Sequence, residues 1–163
     1  MAMTVSSADA ALAKLCDQAA VRAVVEGSAD AVTRRDFAAL GSFFAPEAVW
    51  TVGPPMERHV EGKDAIVTEL ATPIAAMDFL IFTVSNFVIS VDGDVAHSRV
   101  TVHEYGRFSD GGKAYGVPAL DVHALYDDEL RRDGDGWLFT KRKYTFLYVD
   151  GASVPAGQAF PLA

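Results

Sequence analysis

The second half of the chain constrains the fold most. From Phe79 onward it reads as long runs of β-branched and aromatic residues, Phe79–Val91, Val95–Phe108, Ala114–Leu130 and Trp137–Val149. The runs are separated by Asp92-Gly-Asp, Asp110-Gly-Gly and Asp133-Gly-Asp-Gly, and the last is followed by Asp150-Gly151. Asp-Gly between alternating strands is a hairpin signal, because both residues tolerate positive φ. Three such hairpins in succession predict an antiparallel meander.

The first half follows a helical period. Leu12 and Leu15, then Val21, Val24, Val25, Ala29 and Val32, recur at three and four residues. Ser7 is placed to cap a long or broken helix from about Ala8 to Arg34, with Asp9 in its first turn. Gly27 weakens that helix by about 1 kcal/mol against alanine unless something packs closely there. Asp36 is expected to cap a short helix, Phe37–Phe44, before Pro46. A short strand, Ala48–Val52, breaks at Gly53-Pro54-Pro55, and an extended piece returns around Arg58–Val60. A third helix opens at Gly62, buries Ile66, Leu70 and Ile74, and is expected to end or kink near Thr72 because of Pro73. Helices first and a meander last give an α+β class.

The 163 residues suit one domain, 1–163, with a core at about 17–150. Half the residues are apolar and the formal net charge is −8, spread along the chain. That charge argues against nucleic acid and against anionic membrane surfaces as partners. Lys141-Arg142-Lys143 reads as the charge balance of one strand. The single Cys16 cannot form an internal disulfide, and it reads as a small helix residue. No signal peptide or membrane-spanning run is evident, so a cytoplasmic location is expected. The tail, 151–163, reads as loose, with a lid as the alternative.

Alternation sorts the polar residues of the meander into two faces. Ala96, Ser98, Val100, Val102, Glu104 and Gly106 share one face, and Tyr126 lies on the same side of the next strand. This face is small and apolar, as a cavity wall should be. Glu104 and Tyr126 are therefore the primary acid/base and hydrogen-bonding candidates. A glutamate in apolar surroundings would have its pKa raised toward a useful acid or base. The alternative places Glu104 at an open rim, solvated or paired with Arg142, and Tyr126 as a plain core residue. His103, Asp121 and His123 form a rival proton-transfer set on the wetter face, and only a β-bulge would turn them inward. No close ligand pair stands out among them, so no metal is expected. His59 and His97 read as exposed.

Three stretches carry a family resemblance: Arg34-Arg-Asp-Phe…Phe44-Ala-Pro-Glu-Ala-Val-Trp50, Val84-Ser-Asn…Val91-Asp-Gly-Asp-Val-Ala96, and Tyr126-Asp-Asp-Glu-Leu…Asp135-Gly-Trp137…Arg142. Their order and spacing over about Asp17 to Asp150 resemble the SnoaL-like branch of the NTF2-like superfamily. That branch includes scytalone dehydratase-like, dehydrochlorinase and polyketide cyclase-like proteins. The resemblance implies a cystatin-like cone around an apolar cavity, no cofactor, a small apolar ligand and a homodimer through the sheet. Trp50 falls where relatives place an aromatic against the ligand. The lyases of the branch use an aspartate on the first helix and a histidine on the third strand. Those positions carry Thr33 and Phe82 here, and a frequent tyrosine is replaced by Ser28. Neither Thr33 nor Phe82 can take a proton from carbon near neutral pH. The fold and a pocket lined by Trp50, Phe82, Thr33 and Val102 are expected, whereas the aspartate–histidine mechanism is not. Asp128 and Arg142 resemble a structural ion pair. The implied function is binding of a small apolar molecule, with isomerisation, dehydration or cyclisation as the chemistry if the protein is an enzyme. The alternatives are a non-catalytic binding or assembly module and a partner like the dioxygenase β-subunits.

Overall fold

A computed structural model of the chain describes residues 7–114, 116–151 and the strand backbone of 154–159. The element order is α1 (Ser7–Arg34), α2 (Phe37–Ser42), β1 (Phe44–Val52), β2 (Arg58–Glu61), α3 (Lys63–Ala75), β3 (Met77–Asp92), β4 (Val95–Phe108), β5 (Ala119–Asp133), β6 (Gly136–Gly151) and β7 (Val154–Ala159). Helices precede a largely antiparallel sheet, which makes the class α+β.

The sheet runs β2-β1-β6-β5-β4-β3, and β7 also pairs with β6. Only the β1–β6 pair is parallel among these neighbours. One face of β4, β5 and β6 is buried: Ala96, Val100 and Val102, Val122, Ala124 and Tyr126, and Phe139, Tyr144 and Phe146. The helices cover this face, with α1 against β3 and α3 against β1.

Helix α1 runs unbroken through Gly27, and the ring of Phe43 explains the glycine. A Cβ there would meet Phe43 Cζ at 2.7 Å. The buried stripe is Val21, Val25, Ser28, Ala29, Ala31 and Val32. Leu12 and Leu15 are exposed, contrary to the periodic reading. The helix first meets the sheet one turn later. There Asp17 receives two 2.9 Å bonds from Arg132, and Gln18 donates to Ile89 O. Further along, Thr33 Oγ1 donates to Phe82 O at 3.1 Å and accepts from Phe82 N at 3.0 Å. One hydroxyl thus closes both main-chain groups of a residue on the edge strand.

Several boundaries differ from expectation. Strand β1 begins at Phe44, four residues early, and its pairing with β6 shifts between Phe44 and Val49, which accommodates Pro46. Asp36 caps α2 as expected, accepting from Ala39 N at 2.9 Å. Pro73 lies inside α3, which continues to Ala75. A proline so near a helix end removes a single ladder bond, and Ala76 N donates back to Pro73 O. The β4–β5 connection is no tight hairpin, because β5 starts only at Ala119. Asp110 instead organises a loop by accepting from Gly112 N and Ala114 N. Gly112 has φ 81°, and a side chain there would strike Val117 O. In the tail, residues 154–159 form a strand on β6 rather than a loose segment; Phe160 lies outside the described residues.

Thr33→Val keeps the shape of the side chain and removes both bonds to Phe82. We expect a loss of about 1–2 kcal/mol in urea unfolding, one ordinary hydrogen bond being worth about 1 kcal/mol. An unchanged midpoint would show that the clasp contributes nothing.

Candidate functional site

A cavity of about 460 Å³ lies between the buried sheet face and the helices. Val32, Leu40 and Ile74 line it from the helices, Trp50 and Val52 from β1, Phe82 from β3, and Val122 and Phe146 from the meander. Arg58 and Glu69, joined at 3.2 Å and both half-exposed, also belong to its lining. Among these largely apolar walls stand Ser28, Glu104, Tyr126, Arg142 and Tyr144.

The strand register explains how Glu104 comes to be there. It lies opposite Phe82 on one side and opposite Val122 on the other. Strict alternation along β4 turns it inward with Val102 and Gly106. The surface it retains opens onto the cavity. Burial pushes its carboxyl from an ordinary 4.5 to about 7, and the nearby Tyr144 hydroxyl offsets only part of that rise. Near neutral pH, Glu104 therefore populates both protonation states. The pairing with Arg142 considered as an alternative does not form, because Arg142 is engaged elsewhere.

Arg142 is 5 % exposed. Its Nε donates to Asp128 Oδ1 at 3.0 Å and its Nη1 to Ser28 Oγ at 3.0 Å. Ser98 Oγ holds the second carboxylate oxygen of Asp128 at 3.1 Å. The guanidinium also lies over the rings of Tyr126 and Phe139, at 3.9 and 4.1 Å from their centroids. Its Nη2 is buried and has no hydrogen-bond partner among the described residues. Tyr144 Oη is buried too and makes no bond of full geometry; burial first, then the neighbouring Glu104, raises its pKa. Buried donors left unpaired cost about 1–3 kcal/mol each, and both residues belong to the cavity lining.

Tyr126 accepts a long 3.4 Å bond from Trp50 Nε1. Burial raises its hydroxyl to about 12, although Arg142 pulls the other way. It is therefore a phenol, able to donate to a ligand and unable to act as a base at neutral pH.

The remaining expected residues are placed as follows. Trp50 and Phe82 line the cavity, and the Phe82 and Tyr126 rings are 6.3 Å apart. Thr33 and Val102 are not among the lining residues: Thr33 spends its hydroxyl on Phe82, and Val102 is fully buried in the core. No bulge reverses His103, Asp121 and His123, which stay on the outer face and are partly or well exposed. They do cluster, contrary to the view that no close ligand pair exists, since their ligand atoms all lie within 4.8 Å of one another. His59 and His97 are exposed. Sequence reasoning missed Arg142, Tyr144 and Ser28 as cavity residues. Arg142 sits in a basic triplet, and only its position opposite Trp50 in a parallel pairing reveals its inward face.

The chain matches the SnoaL-like domain family over residues 13–143. Among solved structures it is similar to a candidate aromatic ring hydroxylase of Novosphingobium aromaticivorans, at 26% identity and TM-score 0.74, covering 84% of this chain and 94% of that one. A candidate scytalone dehydratase of the same organism matches at 18% identity and TM-score 0.75, covering 91% and 96%. The hexachlorocyclohexane dehydrochlorinase LinA-type3 of Novosphingobium barchaimii matches at 20% identity and TM-score 0.71, covering 91% and 97%. The fold is the NTF2-like, cystatin-like one. No curated protein matches the sequence significantly. No described helix is long and apolar enough to cross a membrane.

Two outcomes follow from this geometry. Because the folded state raises the Glu104 pKa, its contribution to stability is complete below about pH 4.5 and is lost as pH rises through about 7. The stability gained by Glu104→Gln over the parent should therefore grow across that window and level off above it, as read from melts at matched pH. A difference independent of pH would contradict the burial of the carboxyl. Asp128→Ala strands the Arg142 charge and is expected to cost about 3–5 kcal/mol in urea unfolding.

Proposed function

Because the chain belongs to the SnoaL-like domain family, we propose that its cavity binds a small, mostly apolar molecule bearing one oxygen function. We further propose that Glu104 moves a proton on that molecule without a cofactor. The reaction class is isomerisation, dehydration or cyclisation. The carrying observation is a carboxyl held near pKa 7 in an apolar cavity whose lining also includes Tyr126, Arg142 and Tyr144.

In this reading the ligand's carbonyl or hydroxyl oxygen meets Arg142 Nη2 and the Tyr144 hydroxyl, with Tyr126 as a further donor. Charge developing on that oxygen as a neighbouring C–H loses its proton is stabilised by donors already in place. Glu104 as carboxylate accepts the proton and returns it to another carbon or to a leaving hydroxyl. A positioned general base of this kind contributes about 10²–10⁴ in rate. Trp50 and Phe82 supply apolar contact. The scytalone dehydratase-like and dehydrochlorinase neighbours share this fold. Their low identity carries only the fold.

A second reading, a partner subunit of a ring-hydroxylating enzyme, draws on the likeness to the candidate aromatic ring hydroxylase. It requires co-purification with a larger iron protein, and a self-sufficient homodimer would sink it.

The test uses proton NMR in deuterated buffer with a panel of small cyclic and bicyclic ketones such as 2-tetralone. The parent should accelerate deuterium incorporation next to the carbonyl, with a rate that rises as pH passes through about 7. Glu104→Gln should lower that rate by about 10²-fold or more while ligand-induced thermal stabilisation persists. Binding without exchange in the parent would favour a non-catalytic binding module. An unimpaired Glu104→Gln would remove Glu104 from the mechanism.

A further inference from the structure

We propose that the outer face of the sheet carries a site for a divalent transition-metal cation such as Zn²⁺, formed by His103, Asp121 and His123. The site lies on the opposite side of β4 and β5 from the cavity. His103 and His123 are directly opposed across the two strands, and Asp121 stands two residues before His123 on the same face. Their rings stack nearly parallel, with centroids 4.5 Å apart and 4° between planes. His103 Nε2 is 2.8 Å and His123 Nε2 is 3.9 Å from the same oxygen, Asp121 Oδ1.

A hydrogen bond accounts for the first of these distances and not for the second. A tetrahedral cation with bonds of about 2.0–2.1 Å holds its ligand atoms about 3.3 Å apart. The observed 2.8 and 3.9 Å bracket that spacing for the carboxylate, and all three ligand atoms lie within 4.8 Å of one another. The parallel rings aim their nitrogens side by side, so binding requires both imidazoles to rotate out of the stack until their lone pairs converge on one ion. The donor set is two imidazoles and one carboxylate, which suits Zn²⁺, Co²⁺, Ni²⁺ or Cu²⁺ rather than Mg²⁺ or Ca²⁺. The surroundings favour a cation. Asp150 lies opposite Asp121 on β6, and among the described residues no lysine or arginine forms an ion pair with Asp121. The fourth position opens to solvent, because all three residues keep about half of their side-chain surface.

The experiment is calorimetric titration of tag-free protein with Zn²⁺, paired with Co²⁺ titration followed by visible ligand-field absorbance. One ion per chain should bind with micromolar affinity, and the cobalt spectrum should report tetrahedral nitrogen and oxygen ligation. His103→Ala and His123→Ala should each weaken binding by about tenfold or more, with the circular dichroism spectrum unchanged. His103→Gln, closer in volume, should behave as His103→Ala does. His59→Ala, which alters the exposed His59–Glu61 pair, should leave the affinity unchanged. Absence of saturable binding to the parent would overturn the proposal. So would affinity that survives in the His103→Ala/His123→Ala double variant.

Discussion

The inner face of the sheet is organised around one buried cation. Arg142 on β6 reaches Asp128 on β5 and Ser28 on α1, and Ser98 on β4 secures the far oxygen of that aspartate. Three strands and the long helix therefore meet at a single ion pair. Such a pair is weak evidence for net stability, since desolvating both charges costs several kcal/mol before any attraction is counted. Its effect is positional. A guanidinium flanked by the rings of Tyr126 and Phe139 has few orientations open to it. With Nε and Nη1 committed, Nη2 is the remaining donor edge, and Arg142 lines the cavity. The carboxylate that neutralises the charge also makes it tolerable beside the cavity's apolar walls.

That arrangement bears on the two positions where the family resemblance leads one to expect an aspartate and a histidine. The family pattern puts an acid on α1 and a base on β3; this chain has Thr33 and Phe82 there, and they are hydrogen-bonded to each other through backbone and hydroxyl. The Thr33–Phe82 contact is a structural clasp. An aspartate at position 33 could accept from Phe82 N but, ionised, could not donate to Phe82 O. Threonine satisfies both groups. Glu104 lies directly across the strand pair from Phe82. The Phe82 ring, which lines the same cavity, is thus part of the apolar environment that lifts the Glu104 pKa.

Local chemistry explains which features the sequence disclosed. Strict alternation in β4 and β5 sorted Glu104 and Tyr126 from His103, Asp121 and His123, because no bulge interrupts the pairing of these two strands. Asp92-Gly93 and Asp133-Gly134 marked real turns, with Gly93 and Gly134 at positive φ. The Asp110 turn misled, since its glycines serve a wide loop closed within itself by the approach of Gly112 to Val117. The early start of β1 depends on β6, a partner distant in sequence, which local propensity does not register. Leu12 and Leu15 kept the helical period where the sheet gives them nothing to cover. The role of Arg142 was hidden for a similar reason. A basic triplet on a strand has outward members, and which one turns inward is fixed by parallel pairing with β1.

His103 and Glu104 show how much depends on that period of two. They are consecutive residues with opposite surroundings: one meets a carboxylate at the surface, the other an apolar cavity. A one-residue slip of β4 would exchange them, placing a glutamate beside Asp121 and a histidine opposite Phe82. The slip is opposed on both sides of the strand. On the inner face it would expel Ala96, Val100 and Val102, all fully buried, and separate Ser98 from Asp128. On the outer face it would break the His103–Asp121 contact and the stacked imidazoles. The same register thus keeps a titrating carboxyl against the apolar cavity and a cluster of two histidines and an aspartate at the surface, on opposite faces of one sheet.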